Sequence, residues 1–451
     1  KAAMKVKALT RSTCSYVGRS GDVWRVPRNP SPELHPFHRE REYNRALQAT
    51  KLDKLLAKPF LDAFDDHNDA VHVMATHPRQ LTALYSGACD GELKSWHLGN
   101  RCQSWSVVAH DGFVRGLACT HTGDRLLSCG TDRTVKIWDT HHDDMVDGSR
   151  NMSPLKTFMG SSPFTSIDAH WRDQSIAVTT GSQVDVWSLE RSEPLHSFKW
   201  GADTVSCARY SRVECDVLGS CSSDRAVTLY DVRMRTPIRK ITLQMQSNAL
   251  AWNPMEAFNF TVANDDSNLY TFDMRKLDIA RNVHSDHVAA VMSVDYSPTG
   301  RELVSGGYDR AIRIWKDGEG RSREVYTARR MQRVHSVKYS ADNRFVISGS
   351  DDTNIRLWKA QAAKTLQAVL PREARHASYT DQLKTRFAHT KEIRRIARHR
   401  HLPATIFKEV KKNRLVADAA AKKDQNRRAH SKPGSIPFVP KRRKHIVQID
   451  E

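Results

Sequence analysis

No apolar run in this 451-residue chain approaches the roughly 18 residues that span a bilayer, and the mean hydropathy is −0.60, so the chain reads as soluble, with no membrane partner. The opening KAAMKVKALTRS carries charge but no apolar core, which excludes a secretory signal. Because the chain opens on Lys1, either a preceding segment is missing or Met4 is the start. Cysteines number only eight and no two stand at CxxC spacing. Cys89, Cys129 and Cys221 instead fall beside recurring Ser or Asp residues, and read as reduced core thiols of the cytosol or nucleus rather than as disulfides or zinc ligands. His399 and His401 are flanked by Arg and lack a third ligand, so they make no metal site. Also missing are GxxxxGK[ST], HExxH and any acid pair that is not a repeat element. The expectation is a protein that is not an enzyme, with no cofactor, no metal and no small-molecule substrate.

What is present is a repeat. Residues 109–139, AHDGFVRGLACTHTGDRLLSCGTDRTVKIWD, alternate β-branched and apolar runs with turn residues, the pattern of three short antiparallel strands. Copies end at Trp96, Trp138, Trp187, Tyr230, Phe272, Trp315 and Trp358, at intervals of 42, 49, 43, 42, 43 and 43 residues. That is the period of roughly 40–45 residues expected of four-stranded propeller blades. Six copies place an Asp six residues before the aromatic: Asp90, Asp132, Asp224, Asp266, Asp309 and Asp352. All but the Asp266 copy place a Ser four residues before that: Ser86, Ser128, Ser220, Ser305 and Ser348. Three copies add a His near the start of the unit, at His67, His110 and His287.

These seven in-phase copies resemble the WD40-repeat family over about two-thirds of the chain. The resemblance implies an all-β seven-bladed propeller in which His, Ser, Asp and the indole N–H form a hydrogen-bonded chain locking a turn to its blade. The tetrads would be His67, Ser86, Asp90 and Trp96; His110, Ser128, Asp132 and Trp138; and His287, Ser305, Asp309 and Trp315. The same trio of Ser, His and Asp repeats around the ring with no oxyanion element, which excludes a hydrolytic reading. The third copy has Gly181 in place of the Asp, the fourth ends in Tyr230, whose hydroxyl stands in for the indole donor, and the fifth ends in Phe272, which cannot donate. The excess in the 49-residue interval sits in His141–Asn151, polar and aperiodic, the mark of an exposed loop. A closing strand is expected near Pro59–Ala63, paired with the strand that ends at Trp358.

The formal charge of +20 is unevenly spread. Residues 1–60 hold 13 Lys/Arg against 5 Asp/Glu, residues 61–360 hold 35 against 38, and residues 361–451 hold 23 against 8. The expected division is therefore a basic N-terminal extension over 1–54, a near-neutral propeller over 55–366, and a basic helical C-terminal domain and tail over 367–451. Pro27, Pro30, Pro32 and Pro36 forbid a long helix, so residues 1–45 read as extended, either taking shape on a partner or forming a solvated tail. Residues 372–400 favour helix, with Leu383 and Phe387 four apart and Ile393, Ile396 and Ala397 on one face. After Pro403 a second helix is expected from about Thr405 to Arg428. An amphipathic basic helix suits a membrane surface, calmodulin or RNA, and a short apolar face without Trp speaks against the membrane. The RNA-contact candidates are Arg394, Arg395, Arg398, Arg400, Lys411, Lys412, Arg414, Arg427 and Arg428, with the cluster Lys441, Arg442, Arg443 and Lys444.

Two further resemblances follow from particular residues. Tyr230-Asp231-Val232-Arg233 and Phe272-Asp273-Met274-Arg275 look like the WDxR signature of WD40 substrate receptors of cullin-type ubiquitin ligases, with the Trp replaced. Asp231, Arg233, Asp273 and Arg275 are then candidates for docking a ligase adaptor, or turn residues that neutralise one another. Finally, IRRIARHRHLP (Ile393–Pro403), HSKPGSIP (His430–Pro437), RVPRNP at Arg25, GACDGE at Gly87 and NPMEAF at Asn253 resemble the suppressor-of-fibrillarin family along nearly the whole chain. That resemblance implies a nucleolar WD40 component of the small-subunit processome with a non-enzymatic assembly role in pre-ribosomal RNA processing. Its partners would be pre-ribosomal RNA, a box C/D small nucleolar RNA and other processome proteins; animal members are similar to cullin-ligase-associated factors as well.

Overall fold

The computed structural model describes residues 37–140, 153–200, 203–234, 236–432 and 434–450. The segment before Phe37 and the expected loop at His141–Asn151 fall outside the described residues. The chain divides into two compact units, one formed by residues 1–57 with 365–399 and the other by 58–364 with 400–451.

The larger unit is built of seven antiparallel sheets. Each sheet follows the strand order of the chain from the inner to the outer edge, as in Val114–Cys119, Arg125–Gly130, Thr134–Asp139 and Lys156–Met159 of the second blade. The seventh blade supplies only three strands of its own, and Phe60–Phe64 completes it, pairing Phe60 with Trp358 and Phe64 with Ile355. The closing strand therefore lies where the sequence placed it. Closure buries a shared core: Phe64, Val71, Met74, Leu84 and Trp96 pack with Ile347, Ile355 and Leu357 from the other end of the ring. Each such side chain removed from water contributes about 1.5–3 kcal/mol.

In every inner strand the register slips by one residue just after the first position. The side chains at three of these bulges tie one blade to the next. Thr165 donates to the Val205 carbonyl at 2.5 Å, Ser206 to Ser247 at 3.1 Å and Asn248 to Val291 at 3.0 Å.

The recurring Asp has a local task that explains its spacing. The residue after it is left-handed: Gly91, Arg133, Arg225, Ser267, Arg310 and Thr353 have φ between 58° and 87°. A non-glycine residue there is strained, and the Asp carboxylate offsets the strain by accepting the N–H two positions on. Thr134 N donates to Asp132 at 3.1 Å, Ala226 N to Asp224 at 3.0 Å and Ala311 N to Asp309 at 3.2 Å.

The hydrogen-bonded chain is complete in the second and sixth blades. His110 Nε2 meets Ser128 Oγ at 2.8 Å, its Nδ1 meets Asp132 at 2.9 Å, and Trp138 Nε1 donates to Ser128 at 2.9 Å. His287, Ser305, Asp309 and Trp315 repeat this with bonds of 2.7–2.8 Å. The first blade departs from the expected set: His67 and Trp96 meet at Ser86, but Asp90 accepts the Glu92 N–H and does not bond His67 among the described residues, and it is Glu92 that lies 3.9 Å from His67 Nδ1. In the fourth blade Ser220 Oγ and Tyr230 OH are 3.1 Å apart, so the phenol takes the indole's place. The third blade substitutes differently: Thr180 donates to Asp185 at 2.8 Å, and Trp187 Nε1 is buried without an acceptor among the described residues, Ala177 standing where the Ser belongs.

The smaller unit is helical: α1 (His38–Leu55), α2 (Pro371–Arg386) and α3 (Lys391–Ala397). Ala46, Leu383 and Ile393 are its buried centre, with Tyr43, Leu47 and Phe387 packed around them. Glu42 accepts Arg386 at 2.8 Å and Tyr43 donates to Glu392 at 2.8 Å. The extended reading of residues 1–45 is therefore corrected for its last part. Pro36 is the final breaker, and the following HREREYNRALQATKLDKL forms one uninterrupted helix.

Ser128→Ala removes the shared acceptor of His110 and Trp138 and is expected to cost about 1–3 kcal/mol in urea unfolding. Ala177→Ser, which gives Trp187 its missing acceptor, is expected to raise stability by about 1 kcal/mol; a lower midpoint would contradict this account of the third blade. Burial and the neighbouring Lys94 push His67 down to about 4, and burial pushes His284 down to about 4. An unfolded imidazole protonates near pH ~6.5, so between these values the unfolded chain binds more protons and stability falls as pH falls. The urea midpoint is thus expected to be lower at pH 5 than at pH 7.5.

Candidate functional site

Strand order defines two faces of the ring. The tight turns at the recurring Asp share one face with the crossings from each outer strand to the next inner strand; the remaining turns lie on the other. On the tight-turn face a basic helix is anchored to the sixth blade. This helix, α4 (Ala404–Ala429), starts after Pro403 and packs Ile406 against Ala311 and Val325, with Leu402, Val410 and Val288 alongside. Beyond Val410 nearly every residue to Ala429 is exposed, including Lys411, Lys412, Lys422, Lys423 and Arg427.

The anchor is electrostatic as well as apolar. Asp286, 4% exposed, accepts Arg400 NH1 at 2.5 Å, both the N–H and the hydroxyl of Ser322 at 3.1 Å, and lies 3.6 Å from Arg414 NH2. The buried Arg313 guanidinium adds its charge nearby, and its own pKa is lowered chiefly by burial. One carboxylate thus faces several cations, and two RNA candidates, Arg400 and Arg414, are already engaged. Arg394, Arg395 and Arg398 are exposed on or just after α3, in the helical unit.

The tail is held by the fourth and fifth blades. Ile446–Asp450 adds a fifth strand to the fourth blade, pairing Ile446 with Leu243 and Asp450 with Lys240. His445 is buried, stacked on Tyr270 at 3.7 Å, with Gln244 N donating to its carbonyl at 3.0 Å. The basic cluster before it is exposed but fastened: Ala280 N donates to Arg442 O at 3.0 Å, Lys441 reaches Ser285 at 3.1 Å and Lys444 lies 3.5 Å from Asp424 of α4. Arg428 stacks over Phe438 at 4.7 Å. The sequence reading missed this strand; the alternation in IVQID was its only signal.

The two Asp/Arg turns lie on the opposite face and have the same geometry. Arg233 Nε and NH2 each donate to Asp231 at 3.1 Å; Arg275 donates to Asp273 at 3.1 and 2.9 Å. The guanidinium bonds hold both carboxyls below the usual carboxylate range. Both arginines stay largely exposed, at 70% and 61% of their side chains. Beside them is a cleft of ≈ 320 Å³ lined by Val217, Leu229, Ile238, Arg239, Met274 and Arg275. Among the described residues no cluster of three His, Cys, Asp or Glu is placed to hold a metal, and no helix is long and apolar enough to cross a membrane.

A closed ring of WD40 blades that fastens a basic helical arm and tail to its edge is a scaffold of the WD40 class. Residues 360–446 match the Sof1-like domain, and residues 101–139, 280–316 and 322–359 match the WD domain, G-beta repeat. Over 449 residues the chain is 49% identical to DDB1- and CUL4-associated factor 13 of Xenopus laevis, covering 99% of this chain and all of that one. It is 47% identical to the Homo sapiens protein of the same name over 447 residues, with the same coverage. To Protein SOF1 of Saccharomyces cerevisiae it is 41% identical over 465 residues, covering 98% of this chain and 94% of that one. Among solved structures the WD40 beta propeller domain of Doa1 superposes with TM-score 0.58 at 18% identity over 67% of this chain and 96% of that one, which speaks for the fold alone. The chain belongs to the suppressor-of-fibrillarin (Sof1) family of WD40 components of the small-subunit processome.

Asp286→Ala strips the acceptor from Arg400 and leaves buried cations uncompensated, a change expected to cost about 3–5 kcal/mol. Faster amide exchange is expected through the first turns of α4, while the blades distant from the sixth keep their protection; unchanged exchange in α4 would show that apolar packing alone anchors the helix.

Proposed function

We propose that this chain serves the processome as a non-enzymatic scaffold in the nucleolus, holding protein neighbours on the propeller and pre-ribosomal or small nucleolar RNA along its basic C-terminal segments. The observation that carries the reading is α4: it is fixed to the ring by its first turns and by Asp286, while its remaining length presents Lys411, Lys412, Lys422, Lys423 and Arg427 to solvent. A helix so exposed gains little from tertiary packing, and its cations suit a polyanion. The exposed Arg394, Arg395 and Arg398, with Arg428 and the fastened Lys441–Lys444, complete the proposed set. These contacts track the backbone and read no bases.

If about 6–10 phosphates are neutralised, RNA affinity of the full chain falls by roughly 10³–10⁵ between 50 and 200 mM salt. Reversing Lys411, Lys412, Lys422 and Lys423 to Glu is expected to flatten that dependence; a flat response in the unaltered chain would remove the reading.

A second reading rests on the twin turns. Asp231–Arg233 and Asp273–Arg275 repeat one geometry beside an open cleft, on the face opposite the arm, and the vertebrate relatives carry the name DDB1- and CUL4-associated factor 13. A ligase-adaptor role then coexists with the scaffold role. Recovery of the adaptor by the unaltered chain but not by Arg233→Ala/Arg275→Ala supports it, and equal recovery argues against it.

A further inference from the structure

The ring as a whole is close to neutral, yet one sector of its tight-turn face holds cations without counter-ions. The crossing from the outer strand of the sixth blade, Ser322–Tyr326, to the inner strand of the seventh, Val334–Tyr339, carries Arg329, Arg330 and Arg333 from rim to axis. It passes the turn Tyr308-Asp309-Arg310: the Arg333 guanidinium lies 5.0 Å from the Tyr308 ring centroid. Arg310, Arg329, Arg330 and Arg333 are all exposed, and none forms an ion pair within 4.0 Å among the described residues. The neighbouring acids have other partners. The Asp309 carboxylate is buried against His287 at 2.8 Å and Asp352 holds Arg356, while Asp351, 3.6 Å from a His335 whose pKa burial lowers, is one carboxylate against four guanidiniums.

The aromatic ring decides which polyanion fits. Tyr308 keeps 37% of its surface in solvent, with an edge contact to His335 at 5.9 Å and the Arg333 guanidinium 5.0 Å from its ring centroid. An acidic peptide would use the guanidiniums and the phenol O–H but leave the aromatic ring face idle. Single-stranded RNA uses both, because phosphates take the cations while a base stacks on the ring or on the guanidinium plane. The sector also adjoins the arm: Ala311, the residue after Arg310, is packed under Ile406 of α4.

We propose that this sector is a second RNA contact, in which Arg310, Arg329, Arg330 and Arg333 hold the phosphates of a single-stranded segment and Tyr308 stacks a base. The inference rests on the reading of the chain as RNA-bound and extends that contact from the arm onto the ring itself.

The test measures binding of the full chain to a fluorescein-labelled 20-nucleotide single-stranded RNA of mixed sequence between 50 and 200 mM salt. Arg329→Ala/Arg330→Ala/Arg333→Ala is expected to lower affinity about ten- to a hundredfold and to reduce the log–log salt slope by about two, at roughly 0.7 per lost phosphate contact. Tyr308→Ala is expected to lower affinity on the order of tenfold at unchanged slope, and Tyr308→Phe to restore it. All these side chains are exposed, and equal melting temperatures confirm that the variants fold. If the unaltered chain binds with a steep slope, the Lys411/Lys412/Lys422/Lys423 reversal weakens it and the ring variants do not, this inference alone is overturned. If the unaltered chain shows no salt-dependent binding, the RNA reading fails with it. Loss of binding to a labelled 20-residue polyglutamate by the ring variants, with RNA binding intact, would assign the sector to an acidic protein and overturn the proposal.

Discussion

A four-stranded sheet with apolar side chains on both faces cannot bury them alone, so every blade here depends on two neighbours and the whole depends on closing the circle. The strand Phe60–Phe64 makes that closure by joining Ile355–Lys359 across nearly 300 residues of chain. Without it the seventh blade would expose an edge able to pair with another chain, and the core shared by Phe64, Trp96 and Ile355 would open. In the helical unit, α1 and α2, more than 300 residues apart in the chain, share the centre at Ala46 and Leu383.

The second constraint is the placing of charge. Asp286 gathers Arg400 and Arg414 and so fixes where the arm begins, while the added strand Ile446–Asp450 fixes where the tail ends. Between these anchors Arg414 and Lys444 have acidic partners, and Lys411, Lys412, Lys422, Lys423 and Arg427 form no ion pair among the described residues. In the proposed RNA contact, a surface prepared in this way would spare the cost of ordering a free tail.

The ring then separates two kinds of contact by face. The arm and the unpaired arginines of the sixth-to-seventh crossing belong to the tight-turn face, and the twin Asp/Arg turns with their cleft belong to the other. On the proposed reading RNA lies on one side and the other stays free for protein, so assembly and adaptor roles do not compete for the same residues.

The ring could be read from the residues alone, because the strand period recurs seven times, the turn Asp six and the Ser ten residues before the aromatic five, all of them local properties. The closing strand was legible for the same reason: a seventh blade one strand short needs Phe60–Phe64. Only partly legible was the turn chain, since in the first blade His67 Nδ1 finds no hydrogen-bond partner among the described residues and in the third Thr180 with Asp185 stands in for a missing Asp, and these departures depend on which side chains face each other across a sheet. The helix α1 was hidden by the prolines just before it. The fate of individual charges is settled in space: Arg233 meets its own turn's carboxylate, Arg400 meets Asp286, and Arg329, Arg330 and Arg333 meet no carboxylate within 4.0 Å among the described residues. Net charge sums along the chain, whereas ion pairing acts through space between residues that the sequence leaves far apart, and so the neutral total of the ring concealed a sector that is strongly cationic.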